Sequence, residues 1–183
     1  MKINDLKSFS QNINGKILFN FNIKKFNWFN IGGKVKIFFK PDNLNELKEF
    51  LKIYDRRGKI FVLGAGSNVL FKDETYQGVV IKLGSNFSNI TTLDNNTIIA
   101  GSSSTQKKLS EFAKNNDFGG LEFMSCIPGT VGGGIRMNSG CFGNEFNFSG
   151  FGFIRSLSLK RQSLLFSLMN CKRGPILEYS QLM

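Results

Sequence analysis

Lys34-Val35-Lys36-Ile37-Phe38-Phe39-Lys40-Pro41 opens the stretch that decides the fold, and Ile60-Phe61-Val62-Leu63 closes it. In the first segment Val35, Ile37 and Phe39 alternate with Lys34, Lys36 and Lys40, the period-two pattern of a strand with one solvated face. Pro41 stops it. Leu44, Leu47, Phe50, Leu51 and Tyr54 then recur at helical spacing. Asn43 reads as the N-cap with Glu46 three residues on, a capping-box pattern, and Gly58 as the C-terminal stop. The closing segment is apolar throughout, which predicts a strand buried on both faces and therefore parallel. Strand, helix and buried strand within about thirty residues make a βαβ unit with a right-handed crossover.

Outward from this unit the text is less regular. Residues 1–33 are rich in Asn, Lys and Phe with weak periodicity and end on a turn signal, Phe29-Asn30-Ile31-Gly32-Gly33. Downstream, Gly78–Leu83 and Thr97–Ala100 read as strands. Ser104–Asn116 reads as a helix with Leu109, Phe112 and Ala113 on one side and Ser103 or Ser104 as its cap. A boundary near residue 85 divides the chain into two small α+β lobes, 1–85 and 86–146, the second incomplete, with a divergent tail over 147–183. In that tail Ile154, Leu157, Arg161, Leu164, Leu165 and Leu168 have the spacing of a basic amphipathic helix of the membrane-surface kind. The duller reading, a segment belonging to no folded domain, is the one expected here.

Composition narrows the chemistry. The chain has 183 residues and no histidine, which excludes Ser-His-Asp and Cys-His nucleophile pairs, His-based zinc catalysis and HExxH proteases. Cys126, Cys141 and Cys171 are too few and too scattered for a Cys-only zinc site or a disulfide framework, and indicate a reducing compartment. The formal net charge is +11, a balance that fits nucleic acid, anionic lipid or phosphate-bearing small molecules. The lysines alternate with apolar positions instead of clustering, so a generally basic surface explains them. Met1-Lys2-Ile3-Asn4-Asp5-Leu6-Lys7 has no apolar h-region, and no run is long enough to span a bilayer. The expectation is a cytoplasmic protein with no membrane span and no nucleic-acid partner. The alternative is a basic protein that binds nucleic acid or a membrane surface.

Two segments carry binding chemistry. Straight after the apolar run comes Leu63-Gly64-Ala65-Gly66-Ser67-Asn68-Val69-Leu70. Gly64 and Gly66 permit positive φ and close backbone approach, successive N–H groups in such a turn make an anion nest, and Ser67 and Asn68 add side-chain donors. A diphosphate is the natural guest; a tight strand-to-strand turn without a ligand is the alternative. The third glycine of a dinucleotide fingerprint is missing and no helix follows at once. The second segment is Ile127-Pro128-Gly129-Thr130-Val131-Gly132-Gly133-Gly134-Ile135-Arg136-Met137-Asn138-Ser139-Gly140-Cys141-Phe142-Gly143, with six glycines in fifteen residues. Close backbone approach to a flat or extended ligand accounts for so many unbranched positions. Asn138 is a candidate amide partner for a heterocycle. Arg136 is either a phosphate partner or a surface arginine. Cys126 and Cys141 border the segment, where small buried hydrophobes are the usual role.

Taken together with Trp28-Phe29-Asn30-Ile31-Gly32-Gly33 and Gly120-Leu121-Glu122-Phe123, these blocks resemble the UDP-N-acetylenolpyruvoylglucosamine reductase family in order and spacing over residues 20–146. Trp28 stands where many members carry Thr, and Ser139 where Ala or Ile is usual. The resemblance implies an α+β, two-lobed FAD-binding fold of the vanillyl-alcohol-oxidase (PCMH) type. It implies a flavoprotein oxidoreductase of peptidoglycan precursor synthesis, and so of cell wall biogenesis, cell shape and cell division. NADPH would reduce the flavin, and flavin N5 would pass hydride to the enolpyruvyl group of the nucleotide sugar UDP-N-acetylglucosamine enolpyruvate, giving UDP-N-acetylmuramate. By the same resemblance Gly64, Ala65, Gly66, Ser67, Asn68, Val69 and Leu70 hold the FAD diphosphate. Ile127, Pro128, Gly129, Thr130, Val131, Gly132 and Gly133, with Asn138 and Gly140, line the ribityl and isoalloxazine portion.

Family members carry an arginine in a Tyr-Arg block, a serine proton donor in a Gly-Ser block and a late glutamate, the last two in or beyond a third, substrate-binding lobe. None is recognisable here: Arg155, Arg161, Arg173 and Glu178 sit in other contexts, and no catalytic residue is assigned. The tail after Phe146 looks like a reading-frame change or a degenerate end, with the third lobe missing. The expectation is a chain that keeps FAD binding and has little or no reductase activity.

Overall fold

The computed structural model describes residues 3–54, 58–146 and 166–170. The chain divides into two compact units, Met1–Asn86 and Phe87–Met183. In the first, β1 (Lys16–Asn22), β2 (Lys34–Lys40), β3 (Lys59–Val62) and β4 (Tyr76–Ile81) form one sheet in the order β1-β2-β4-β3, with α1 (Ile3–Gln11) and α2 (Leu44–Tyr54). β1 pairs antiparallel with β2, and β2 and β3 both run parallel to β4.

The apolar run at 60–63 signals the parallel pairing, but the expectation of a strand buried on both faces needs correcting. β3 is an edge strand whose Ile60, Phe61 and Val62 are half-buried, while Val79, Val80 and Ile81 of β4 are fully enclosed. β4 inserts between β2 and β3, so the connection through α2 skips a strand. Phe38, an odd apolar residue on the supposed wet face of β2, is buried too. It stacks on Phe21 with ring centroids 4.7 Å apart and packs with Ile23, Val35, Leu63 and Val80. Elsewhere Phe39 stacks on Phe50 (4.2 Å) and Phe9 of α1 closes against both rings. Burying each such ring contributes about 1.5–3 kcal/mol.

Asn43 caps α2 as read: Glu46 N–H donates to Asn43 Oδ1 at 3.0 Å, and the Asn43 amide donates back to the Glu46 carboxylate at 3.3 Å. The Glu46 carboxylate does more than the box requires. It also accepts from the backbone N–H groups of Asn14, Gly15 and Asp42 at 2.8–3.1 Å, tying the entry to β1 onto the start of α2. Neither α1 nor β1 is apparent in the weak periodicity of residues 1–33. Leu18 stands exposed among the half-buried Ile17, Phe19 and Phe21, which hides the alternation of β1.

In the second unit β5 (Ile90–Asp94), β6 (Thr97–Gly101) and β9 (Phe166–Asn170) make an antiparallel sheet in the order β5-β6-β9. With it come α3 (Gln106–Asn115), a 3-10 turn over Glu122–Cys126, α4 (Val131–Met137) and the small hairpin β7 (Gly140–Cys141) and β8 (Asn144–Glu145). Its core joins Ile98, Leu109, Ala113, Phe118, Phe123, Met124, Val131 and Phe146. β5 went unread because its residues past Ile90 are exposed. The cap of α3 is Thr105, whose hydroxyl accepts from Lys108 N–H at 3.2 Å. Ser104, one of the two expected caps, instead donates its hydroxyl to the Ser88 carbonyl at 2.7 Å.

The expectation of a tail outside any folded domain is corrected over five residues: Thr97↔Asn170 through Gly101↔Phe166 pair β9 with β6. Leu168 of the proposed amphipathic helix therefore lies on a strand, and Ile154, Leu157, Arg161, Leu164 and Leu165 lie outside the described residues, as do Arg155, Arg173 and Glu178. Among the described residues no helix is long and apolar enough to cross a membrane.

Candidate functional site

Gly64–Leu70 leaves the C-terminal end of β3, and Leu63 N–H is still on the sheet, donating to the Ile81 carbonyl at 2.8 Å. The connection to β4 runs to residue 75, so the segment is no tight strand-to-strand turn. Lys82, just past β4, reaches across and donates its ammonium to the Gly64 carbonyl, with Nζ 6.0 Å from the centroid of the Phe26 ring. Burial, then the charge of Lys40, lowers the Lys82 pKa. Gly66 has φ +77°, and a Cβ there would overlap the Phe26 carbonyl oxygen and come within 2.9 Å of Asn27 Cα. Trp28 N–H donates to the Gly66 carbonyl at 3.1 Å. The glycine is thus demanded by the chain itself, through the positive φ and through the backbone that packs where its Cβ would lie. Ser67 and Val69 are half-buried, whereas Asn68 and Leu70 are exposed.

The bond between Trp28 and Gly66 also gathers apolar surface. Trp28 is 61% exposed, and Phe29, Ile31 and Leu70 are exposed with it. Asn27 beneath them is buried; its amide donates to the Lys24 and Ile31 carbonyls at 3.2 and 2.8 Å, leaving Oδ1 without a partner.

Residues 127–143, to which the sequence analysis assigns no regular element, include α4 and the first strand and loop of the β7–β8 hairpin. Thr130 caps α4, its hydroxyl accepting from Gly133 N–H at 3.1 Å, and Asn138 ends the helix in the left-handed region at φ 47°. Phe142 and Gly143, both at positive φ, form the two-residue loop of the β7–β8 hairpin, the requirement of a type I′ turn. The segment is laced to the end of β6 and the start of α3: Gln106 N–H donates to Gly129, Val131 N–H to Ser104 and Gly132 N–H to Ser102, all at 2.8–3.0 Å.

Three of the six glycines here answer to packing. A Cβ on Gly132 would meet Ser102 at 3.0 Å, one on Gly134 would meet Phe146 and Gln106 at 2.6–2.8 Å, and one on Gly140 would meet Asn144 and Glu145. At Gly133 the single neighbour is Thr130 Oγ1 at 3.1 Å. Ile127, Gly129 and Thr130 are half-buried, Pro128 is exposed and Val131 is in the core. Arg136 is exposed. Cys126, expected as a buried hydrophobe, is exposed as well, and Cys141 is half-buried.

Four participants went unread, buried Asn27 among them. Ser102 is buried with its hydroxyl unpartnered, buried Gln106 accepts from Ser139 Oγ at 3.1 Å, and Lys82 braces Gly64. The run Gly101-Ser102-Ser103-Ser104-Thr105 was the available signal for Ser102. Among the described residues no group of three or more His, Cys, Asp or Glu side chains could hold a metal ion.

The family described as FAD binding domain matches residues 35–159, and the chain belongs to it; its cofactor is FAD. Curated relatives give the resemblance a more particular form. The chain is 58% identical over 146 residues to the UDP-N-acetylenolpyruvoylglucosamine reductase of Pelagibacter ubique, covering 80% of this chain and 48% of that protein. It is 45% identical over 134 residues to the enzyme of the same name from Rickettsia akari, covering 73% of this chain and 45% of that one. The chain thus spans about half the length of the curated relatives it matches. The crystal structure of UDP-N-acetylenolpyruvylglucosamine reductase from Thermus caldophilus superposes with a TM-score of 0.62 at 22% identity, covering 93% of this chain and 66% of that one. That likeness shows the fold and, with the family match, gives an α+β FAD-binding fold of the PCMH type.

Proposed function

We propose that the chain is the flavin-binding part of a cytoplasmic reductase acting on UDP-N-acetylglucosamine enolpyruvate, with NADPH as hydride donor and UDP-N-acetylmuramate as product. One observation carries the assignment of the cofactor to these residues. Among the described residues the buried side-chain polar atoms without a partner are Asn27 Oδ1 and Ser102 Oγ. Asn27 lies against Gly66, and Ser102 lies against Gly132. Each predicted segment therefore adjoins a polar group whose hydrogen bonding the chain leaves incomplete, a deficit of about 1–3 kcal/mol for each. Because the Asn27 amide is committed to two carbonyls, its oxygen needs a donor, which a hydroxyl or amine supplies and a phosphate does not. FAD carries hydroxyl and amine donors besides its diphosphate, so it can supply the donor that Asn27 Oδ1 lacks.

In this reading the backbone of Gly64–Leu70, braced by Lys82, cradles the diphosphate, and Gly133, with Thr130 capping α4, admits the ribityl and isoalloxazine portion. Exposed Trp28 and Leu70 give the cradle an apolar border. Bound FAD supplies hydride transfer between NADPH and the enolpyruvyl double bond. Protonation of the substrate needs a positioned acid, which typically supplies about 10²–10⁴-fold in rate. No described residue is assigned that role, and the 183-residue polypeptide assayed alone is expected to show at most trace turnover.

Trp28 is the single tryptophan, so its emission reports on the cradle. Added FAD should quench it, and flavin absorbance should follow the protein through gel filtration. Colourless protein with unchanged Trp28 emission would overturn the cofactor assignment. For activity, NADPH consumption dependent on UDP-N-acetylglucosamine enolpyruvate is measured against a flavin-only blank. Turnover of roughly 1–10³ per second, the ordinary enzyme range, contradicts the expectation of trace activity.

A further inference from the structure

The parallel strands of the first unit end level with one another on a concentration of positive charge. Phe39, Ile81 and Val62 lie side by side in the ladder, so Lys40, Lys82 and the Leu63-Gly64 step follow at one rim. The carboxyl ends of parallel strands are where open α/β sheets take their ligands. Lys82 N–H donates to the Phe39 carbonyl at 2.9 Å, which fixes its backbone to β2. The side chain is half-buried, its ammonium held by the Gly64 carbonyl and lying 6.0 Å from the centroid of the Phe26 ring. Lys40 lays its side chain over Gly84, with Cε 3.1 Å and Nζ 4.0 Å from where a Cβ on that glycine would lie. Across the β1–β2 ladder Lys40 faces Lys16, a like charge.

An ammonium carries three donors, and Lys82 meets one neutral carbonyl and one ring. Among the described residues no Asp or Glu forms an ion pair with Lys16, Lys40 or Lys82. A half-buried charge among neutral groups and other cations is costly, and an opposite charge offsets that cost. We propose, resting on the assignment of Gly64–Leu70 as the FAD cradle, that Lys82 is the charged contact of that cradle. It binds the diphosphate of a nucleotide and makes the site select phosphate-bearing ligands over the bare flavin. Burial, and after it the charge of Lys40, lowers the Lys82 pKa, the direction expected of a cation that lacks its anion.

The division of labour is chemical. Backbone N–H groups of the turn supply dipoles without net charge, whereas a diphosphate brings full negative charge that a cation meets best. The tie to Gly64 holds the ammonium at the head of the turn before a ligand arrives, so little side-chain freedom is lost on binding.

The test uses the full chain in equilibrium dialysis with FAD, with ADP, which has the diphosphate but no flavin, and with riboflavin, which has no phosphate. Lys82→Gln keeps a donor for the Gly64 carbonyl and removes the charge. It should lower FAD and ADP affinity by about tenfold or more and leave riboflavin affinity unchanged, and Lys82→Arg should restore most of the loss. In the parent protein, ADP should shield Lys82 from an amine-acylating reagent, read by mass spectrometry of the digested chain. Equal FAD affinity in parent and Lys82→Gln, equal losses for riboflavin and FAD, or acylation of Lys82 that ADP does not slow would overturn the proposal and leave the flavin reading standing. ADP bound through Lys82 without uptake of FAD would overturn the flavin reading alone. A parent that binds neither overturns both.

Discussion

The Gly64–Leu70 turn and the Ile127–Asn138 segment look alike in sequence, yet they use glycine for different reasons. Gly66 is fixed twice, by a positive φ and by the backbone of Phe26 and Asn27 where its Cβ would lie. Gly132 and Gly134 are fixed once, by packing alone: Ser102 lies against the first, and the Gln106 and Phe146 side chains against the second, on a capped helix. Gly133 stands between them nearly unopposed. A glycine-rich text thus mixes positions the fold requires with positions it leaves open, and only the open ones are available to record a ligand.

Gly66→Val should have the largest effect. Backbone strain of about 1–3 kcal/mol adds to overpacking of about 1–3 kcal/mol, so the denaturation midpoint in urea should fall steeply. An unchanged midpoint would mean that the turn is held only by its ligand. Next comes Gly134→Ala, expected to cost about 1–3 kcal/mol through its collision with Phe146 and Gln106. If it costs nothing, the second segment is as pliable as an ordinary loop.

Gly133→Ala sharpens the contrast. Its stability should stay within about 1 kcal/mol of the parent, whereas flavin affinity should drop about tenfold or more, equivalent to 1.4 kcal/mol. Equilibrium dialysis with FAD beside a melting curve separates the two. Equal losses in both would make Gly133 a packing glycine like its neighbours.

The smallest effect concerns Lys82 and pH. Its folded pKa is lowered from 10.5, so as pH rises through the interval below 10.5 the unfolded chain holds more protons than the folded one. Stability supplied by this group therefore increases with pH there. Tyr54 and Tyr76, raised above 10.0 by burial, pull the other way above that pH. The informative quantity is the difference between parent and Lys82→Met: the gap should close or shift in favour of the parent as pH approaches 10.5. A gap independent of pH would remove the buried-charge account of the tie to Gly64.

Much of the local structure was legible. β2 and α2 fall within the bounds that alternation, Pro41 and the Asn43–Glu46 box set. What hid was decided at a distance. Nothing in Ile60–Leu63 says that β4 would take the centre of the sheet, since an apolar run reports burial but not strand order. β1 was masked by exposed Leu18, and Thr105 displaced Ser104 as a cap because Ser104 found the Ser88 carbonyl. In the candidate site the glycine motifs were visible, but Asn27, Ser102 and Lys82 were not, because an incomplete or borrowed hydrogen bond appears only once the chain has folded.

One detail of β1 bears on how copies of this protein meet. Asn20 sits at φ 52° in the edge strand, and the ladder with β2 steps from Phe19↔Ile37 to Phe21↔Val35 across it. An outer strand offers an unpaired row of N–H and C=O groups, a template on which another strand can add. A left-handed residue in mid-strand breaks that row's regular spacing, and the flanking Lys16 adds charge at its start. At the opposite rim β3 is only four residues long. Both borders of the sheet are thus poor docking surfaces for a second sheet, which counters end-to-end aggregation in a chain carrying 20 phenylalanines.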